Sequence, residues 1–497
     1  MKKNVLMIMA DQLTPFMLGL YGNKTCLTPN IDRLAERGVV FGNAYTPCPL
    51  CAPARAGLMA GRMPSDVGCY DNASVLPSGE PSLAHYMSLA GYETVLSGKM
   101  HFIGPDQLHG FEKRLNTDIY PANLLWIPFV RDDKMLGGGE HAKSYISENF
   151  GVRPWSVGLQ YDEETVYLAR HYLRERWLNR NEHGRSTRPF FLCVSMHHPH
   201  EPFYVTPELW DLYKDAEFDI PFSRDSMPVS EMDKWLNEQY HRTDIFRVDD
   251  PDNIKNLWRC YCALTTYVDN KVAELISCLE ELGELENTAI IFTSDHGDML
   301  GQRGMVQKRC FYEWSSRVPL IVANTGGLNA GTRDNRAASL LDILPTLTEI
   351  GEYEGALHDA EGRSLLANAS PDAVVFSENH SEGVRSPCFM IRQGRYKLVY
   401  IHGYDGQLFD LENDPMELCD LYNVPEYSSI QKNLTDQILK RFDPGKIQEH
   451  MAKDLDKRRV IRSADTMSGL SHDYSPRTDG SLLYYRGHTT VPDVRKE

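Results

Sequence analysis

Ala289-Ile290-Ile291-Phe292-Thr293-Ser294-Asp295-His296-Gly297-Asp298 is the stretch that decides the architecture. Its apolar residues do not alternate with polar ones, which reads as a strand buried on both faces, the habit of a mostly parallel sheet covered by helices. Asp295 and His296 then fall just past the strand, where the carboxyl ends of an open α/β sheet hold ligands. The same pattern opens the chain, where Val5-Leu6-Met7-Ile8-Met9-Ala10 runs into Asp11-Gln12. Further buried strands are expected over 94–97, 190–196 and 318–323, alternating with helices over 162–179, 254–282 and 339–350. A helix over 29–37 is expected too, with Thr28 as N-cap, Pro29 at its first position and Gly38 as the stop. The alternation predicts an α/β fold of helices layered on a mostly parallel central sheet.

The texture changes near residue 370. Short strands over 374–377, 388–392 and 396–401, the last two joined by Gln393-Gly394-Arg395, precede a helix at about 428–442. The expected organisation is therefore a large domain over 1–368, a smaller antiparallel α+β subdomain over 369–456, and a polar tail over 457–497. The tail lacks periodicity and cannot bury a core alone, so it is expected to be extended, lying in solvent or across a neighbouring subunit.

A net charge of -17 excludes a nucleic-acid surface, because phosphate binding needs a basic face. Eleven cysteines without regular spacing point away from a disulfide framework and towards a reducing compartment. Met1-Lys2-Lys3 and the apolar run after it imitate a secretion signal. That run is only strand-length, ends in Asp11-Gln12, and has no small-residue cleavage site, so it reads as the first core strand of a cytoplasmic protein. No run approaches the length of a membrane span.

Chemistry concentrates in Cys51-Ala52-Pro53-Ala54-Arg55, followed by Ala56-Gly57-Leu58-Met59-Ala60-Gly61-Arg62. A thiol on a tight turn with a guanidinium one helical turn later sets a modifiable atom beside a fixed positive charge. Cys48-Pro49-Leu50-Cys51 also spells a C-x-x-C, open to redox or zinc chemistry. There is no second C-x-x-C, and Cys26 and Cys69 lie at spacings that suit no common zinc module. Asp11, Asp295 and His296 at strand ends make a hard-cation site. Lys99 and His101, two residues apart after another strand, project to one side as a point charge and a hydrogen-bonding imidazole. In His197-His198-Pro199-His200-Glu201-Pro202 the prolines fix a turn. His200 is the candidate anion or leaving-group contact there, and His197 and His198 read as structural. Lys308, in a Gly-containing loop, is a further candidate cation.

The ordered set of strand-Asp, C-x-P-x-R, G-K-x-H, P-H-x-P, S-D-H-G-D and a following Lys resembles the formylglycine-dependent sulfatases of the alkaline phosphatase superfamily, from Asp11 to at least Pro415. The resemblance implies an alkaline-phosphatase-like α/β/α sandwich. It implies one divalent metal, Ca2+ before Mg2+ or Mn2+, held by Asp11, Asp295, His296 and Cys51, with Gln12 as a further candidate ligand. Cys51 would be converted to formylglycine by a maturation enzyme, and the aldehyde hydrate would attack sulfur. Arg55 and Lys99 would hold the sulfate, while Asn72, His101, His200 and Lys308 would bond the ester oxygens, a His or Lys assisting the leaving group.

Two positions depart from the commonest form: Asp11 is followed by Gln12 where two adjacent Asp are frequent, and Asp295 by His296 where Asn is frequent. Both departures occur in the choline-sulfatase and phosphonate-monoester-hydrolase branch. Gly98–Glu112 and Thr117–Ala122 are similar to choline sulfatases beyond what active-site chemistry requires. A quaternary ammonium would need aromatic faces and a carboxylate. Trp126 is the first candidate, His141 a weaker one, and Asp473 would complete the pocket if the tail crosses to a partner in a homo-oligomer, a dimer or tetramer. The expected activity is hydrolysis of a small alkyl sulfate, choline sulfate first. The alternatives are a phosphonate monoester hydrolase or phosphodiesterase on the same scaffold, or a non-catalytic sulfate-ester binder with unmodified Cys51.

Overall fold

The computed structural model describes residues 2–120, 129–131, 134–136, 150–185, 187–218, 229–239, 250–368 and 373–468. The large sheet contains β1 (Asn4–Asp11), β2 (Gly38–Tyr45), β3 (Glu93–Gly98), β4 (Lys113–Arg114), β5 (Phe190–Pro199), β6 (Thr288–Ser294), β7 (Arg317–Val318), β8 (Leu320–Ala323) and β9 (Thr332–Ser339). Strands β6, β1, β5, β3 and β4 lie side by side and parallel. β8 joins β6 to β2 in antiparallel register, and β9 runs parallel to β2. The strand expected over 318–323 is broken at Pro319, which has no N–H for the ladder. β7 resumes along β2 beyond it, pairing Arg317 with Tyr45.

Strand β1 shows how a fully apolar run serves two cores. Leu6, Ile8 and Ala10 pack with α4 (Val157–Asn181) and α5 (Pro251–Glu281), while Val5, Met7 and Met9 pack with α2 (Cys51–Ala60), α3 (Leu83–Leu89) and α6 (Ile343–Ile350). The period of two divides its side chains between the faces. Caps fix the helix starts: Ser156 Oγ accepts from Leu159 N ahead of α4, and Asp250 accepts from Asp252 N ahead of α5.

Some expected boundaries move. α1 (Pro29–Ala35) stops before Arg37, and Thr28 does not cap it; the Thr28 hydroxyl accepts from Gly19 N instead. Gly38 is not a stop but the first residue of β2, where a Cβ would lie 2.3 Å from Val322 O, so glycine there permits close strand approach. Ser339 caps a 3-10 turn, Leu340–Asp342, ahead of α6.

The C-terminal subdomain is an antiparallel meander of β10 (Val374–Asn379), β11 (Cys388–Gln393), β12 (Tyr396–Ile401) and β13 (Gln407–Asp410). α7 (Ser428–Arg441) covers it with Leu434 and Ile438 packed among Phe389, Ile391 and Leu398. At the seam with the large domain, Lys397 is fully buried and donates to Phe311 O at 2.8 Å and Glu313 Oε1 at 2.9 Å, and it also pairs with Glu417. The tail expected to be extended from Lys457 is helical as far as Ser468, because α8 (Pro444–Ser468) runs through that point. Ile447 and Met451 pack the start of α8 on the meander core, but beyond Lys457 Val460 and Ile461 are exposed and the buried contact is Arg458, so hydrophobic periodicity gives no sign of that stretch.

Candidate active site

The sheet's carboxyl edge gathers the predicted residues. Cys51 is the first residue of α2, entered from the extended Leu50, and the helix closes at Gly61 in the left-handed region. Its Sγ lies 3.1 Å from His296 Nε2 and 3.8 Å from Asp11 Oδ1. Asp11, Cys51, Asp295 and His296 are all buried, and each presents a ligand atom within 4.8 Å of the others.

Arg55, one turn into α2, is 1% exposed and crosses four adjacent parallel strand ends. It donates to Asp11 Oδ2 at 2.9 Å, Asp295 Oδ2 at 2.9 Å, Ser195 Oγ at 2.9 Å and Lys99 O at 2.7 Å. Each aspartate thus commits one oxygen to Arg55. Asp295 Oδ1 receives Gln12 N and His296 N, and Asp11 Oδ1 faces Cys51. Lys99 pairs with Asp11 and sits 4.2 Å above the Tyr120 ring. Burial alone would raise the Asp11 carboxyl, but Lys99 and Arg55 hold it well below the usual carboxylate range.

The donor set fits a divalent cation. His296 Nδ1 lies 3.0 Å from the Gly297 carbonyl, which can only accept, so Nδ1 carries the proton and Nε2 keeps its lone pair towards Cys51. Burial lowers the His296 pKa further, so the ring is neutral as a ligand must be. Burial, then Asp11, pushes the Cys51 thiol up to about 12. A thiol so protonated at neutral pH is a poor nucleophile.

The opposite wall is built by the turn after β5. His200 Nδ1 is 2.6 Å from Glu201 O and therefore donates, leaving Nε2 to accept from Lys308 Nζ at 2.8 Å. His198 is structural as expected, its Nδ1 bonded to Asp162 Oδ2 at 2.6 Å. Asp162 also takes the His197 and His198 backbone N–H groups, fixing the turn to α4. The His197 ring, expected to be structural as well, lies 4.9 Å from His200 and 5.8 Å from Tyr120. His101 adopts φ 59, its backbone N–H given to Asp118, and its ring lies 5.2 Å from Tyr120. Burial, then Lys99, lowers its pKa to about 3.

Gln12 reaches the site but is engaged elsewhere: Nε2 donates to Glu201 Oε2 at 2.6 Å and to Asp298, and Oε1 accepts from Lys308. Asn72 Oδ1 accepts from Ala52 N at 2.9 Å, so it stands beside Cys51. Trp126, His141 and Asp473 lie outside the described residues. Tyr120, Glu201 and Asp298 join the site without a signal of their own in the sequence: Glu201 and Asp298 sit inside P-H-x-P and S-D-H-G-D, and only their burial marks them out.

The comparisons with known proteins bear on this geometry. A model of the family described as Sulfatase matches residues 3–353. The chain belongs to the sulfatase family. The sulfatase's later part, residues 301–443, matches a model described as N-sulphoglucosamine sulphohydrolase, C-terminal. It is 37% identical to a choline-sulfatase of Rhizobium meliloti (strain 1021), covering 100% of this chain and 98% of that one. It is 31% identical to an arylsulfatase of Clostridium perfringens (strain 13 / Type A), over 86% of this chain and 92% of that one. The phosphonate monoester hydrolase of Agrobacterium radiobacter superposes with a TM-score of 0.67 at 24% identity, over 88% of this chain and 95% of that one, a likeness of fold. This sulfatase therefore has the alkaline-phosphatase-like fold expected of it, with the antiparallel subdomain appended. No helix among the described residues is long and apolar enough to cross a membrane.

Proposed function

We propose that this sulfatase hydrolyses a small alkyl sulfate, choline sulfate foremost, to the free alcohol and sulfate. The observation that carries the reading is the end-to-end likeness to the Rhizobium meliloti choline-sulfatase, which extends well past the residues matched by the family model. Tyr120, with Lys99 over one face and His101, His197 and His200 around it, supports it by setting an aromatic ring beside the ligand cluster.

Asp11, Asp295, His296 and residue 51 would hold the divalent metal, which when bound supplies Lewis-acid polarisation of an ester oxygen. Cys51, oxidised to its aldehyde and hydrated, supplies the oxygen nucleophile. Arg55 and Lys99 keep the anionic oxygens oriented in a water-poor pocket where their charge is weakly screened. With its Nδ1 proton committed to Glu201 O, neutral His200 receives a hydrogen bond from Lys308 and does not itself supply a proton. Burial, then Lys308, holds His200 well below its ordinary pKa, which keeps it neutral. Lys308 is then the proton donor to the departing alcohol, and His200 its positioning residue.

A panel of choline sulfate, a neutral aryl sulfate and a phosphonate monoester, run on protein whose aldehyde content is verified by mass, tests the reading. The expected order of kcat/KM has choline sulfate first. Preference for the phosphonate monoester assigns the second reading, which the phosphonate monoester hydrolase fold favours. An unmodified thiol with no turnover leaves only a sulfate-ester binder. Trp126→Ala should cost choline sulfate about twofold to about thirtyfold more than the aryl sulfate, the range of one cation–π contact; equal losses remove Trp126 from the ammonium pocket.

A further inference from the structure

One buried ion pair belongs neither to the ligand cluster nor to the subdomain seam. Arg458 on α8 donates from Nη1 to both Asp71 oxygens, at 2.8 and 2.9 Å, and from Nη2 to Ser74 Oγ at 3.0 Å. Arg458 is 5% exposed and Asp71 4%. Inside the turn, Asp71 Oδ1 accepts from Ala73 N at 2.9 Å, and Ser74 Oγ accepts from Tyr70 N at 2.9 Å and Asp71 N at 3.1 Å. The 70–74 turn is closed on itself and gripped from outside by one guanidinium, with Nη1 on Asp71 and Nη2 on Ser74. Its middle residue, Asn72, faces the other way and holds Ala52 N, next to Cys51. Asn72 N donates to Glu382 Oε1 at 2.8 Å, so the turn is fixed from the meander side as well.

We infer that Arg458 is a positioning residue for the nucleophile at residue 51, acting through Asp71 and Asn72. Three links join the guanidinium to the start of α2: the ion pair to Asp71, the peptide from Asp71 to Asn72, and the hydrogen bond from Ala52 N to Asn72 Oδ1. Without Arg458, Asp71 is a buried carboxylate with no cation, a state that drives the turn outward to hydrate it; without the Asp71 charge, the guanidinium is left to its other ion-pair partner, Asp454, and the turn loses its outer grip. Asn72 moves with the turn, and the first residues of α2 lose the acceptor that sets their direction. Attack geometry is sensitive to displacements of an ångström or less, so a distant helix controls turnover. The inference rests on the proposed role of residue 51.

Arg458→Gln, Arg458→Lys and Asp71→Asn are compared with wild type as full chains, with kcat expressed per aldehyde counted by intact mass. Hydrogen exchange is followed in the peptide carrying Ala52. Arg458→Gln and Asp71→Asn should lower kcat about tenfold with KM within about twofold, and exchange at Ala52 should quicken. Arg458→Lys, which keeps the charge, should recover part of the loss. Ile447→Ala loosens the packing of α8 without touching Asp71 and should leave both readouts at wild-type values. Wild-type kcat in Arg458→Gln and Asp71→Asn, or an equal loss in Ile447→Ala, overturns the inference. Should Arg458→Gln fail to fold, Asp71→Asn decides alone, since its Oδ1 still accepts from Ala73 N. Aldehyde-bearing wild type that turns over no sulfate ester would instead overturn the proposed function, and Ala52 exchange would still judge Arg458.

Discussion

Two buried charge clusters in this sulfatase look alike by composition and behave differently. At the subdomain seam, Lys397 donates to Phe311 O and Glu313 Oε1 and also pairs with Glu417. At the sheet edge, Lys99 meets Asp11 and the face of Tyr120, but makes no aligned hydrogen bond among the described residues. The first cluster is closed by the chain itself. The second brings four potential metal-ligand atoms together beside that lysine, the difference expected between a binding site and a buried structural pair.

The contrast can be broken by substitution. Cys51→Ala should lower kcat by roughly 10⁴-fold or more with the fold intact, read by steady-state kinetics beside a melting curve; surviving activity would move the nucleophile elsewhere. Arg55→Lys loses the planar fork that serves four acceptors and should cost roughly 10²–10³-fold in kcat/KM. Lys308→Ala should cost about 10²-fold on an alkyl sulfate and far less on an aryl sulfate with an acidic phenol, because the better leaving group needs no proton. A loss equal on both substrates would put Lys308 in anion binding instead. Lys397→Met should leave kcat/KM unchanged while lowering stability by about 3–5 kcal/mol in denaturant unfolding, the cost of stranding buried carboxylates. A loss of activity at Lys397 as large as at Lys308 would erase the distinction.

Those same clusters show what the sequence could tell. Asp11, Cys51, Arg55, Lys99, His200, Asp295, His296 and Lys308 were readable because each follows a strand or sits in a short motif, and parallel topology carries such residues to one edge. Strand β2 was not readable, since Gly42 and Asn43 interrupt its apolar run, nor was β9, whose Thr332–Asn335 are polar because it lies at an edge. Glu201 and Asp298 carry no separate signal in the sequence, and only burial gives them Gln12, Gln307 and Lys308 as neighbours. Asp71 and Arg458 are separated by hundreds of residues and share no periodic pattern. Their pairing is a tertiary fact, available only once α8 is docked.

Arg55 takes one acceptor from each of the neighbouring strands β6, β1, β5 and β3 or the residue that follows it. It therefore works as a gauge of their alignment: a slip of any strand along its axis changes one of four bonds at the reacting edge. Conservative changes deep in these strands, such as Ile291→Val or Val194→Ala, should consequently register in catalytic rate before they register in the melting temperature. The pocket would report the mechanical state of the sheet beneath it.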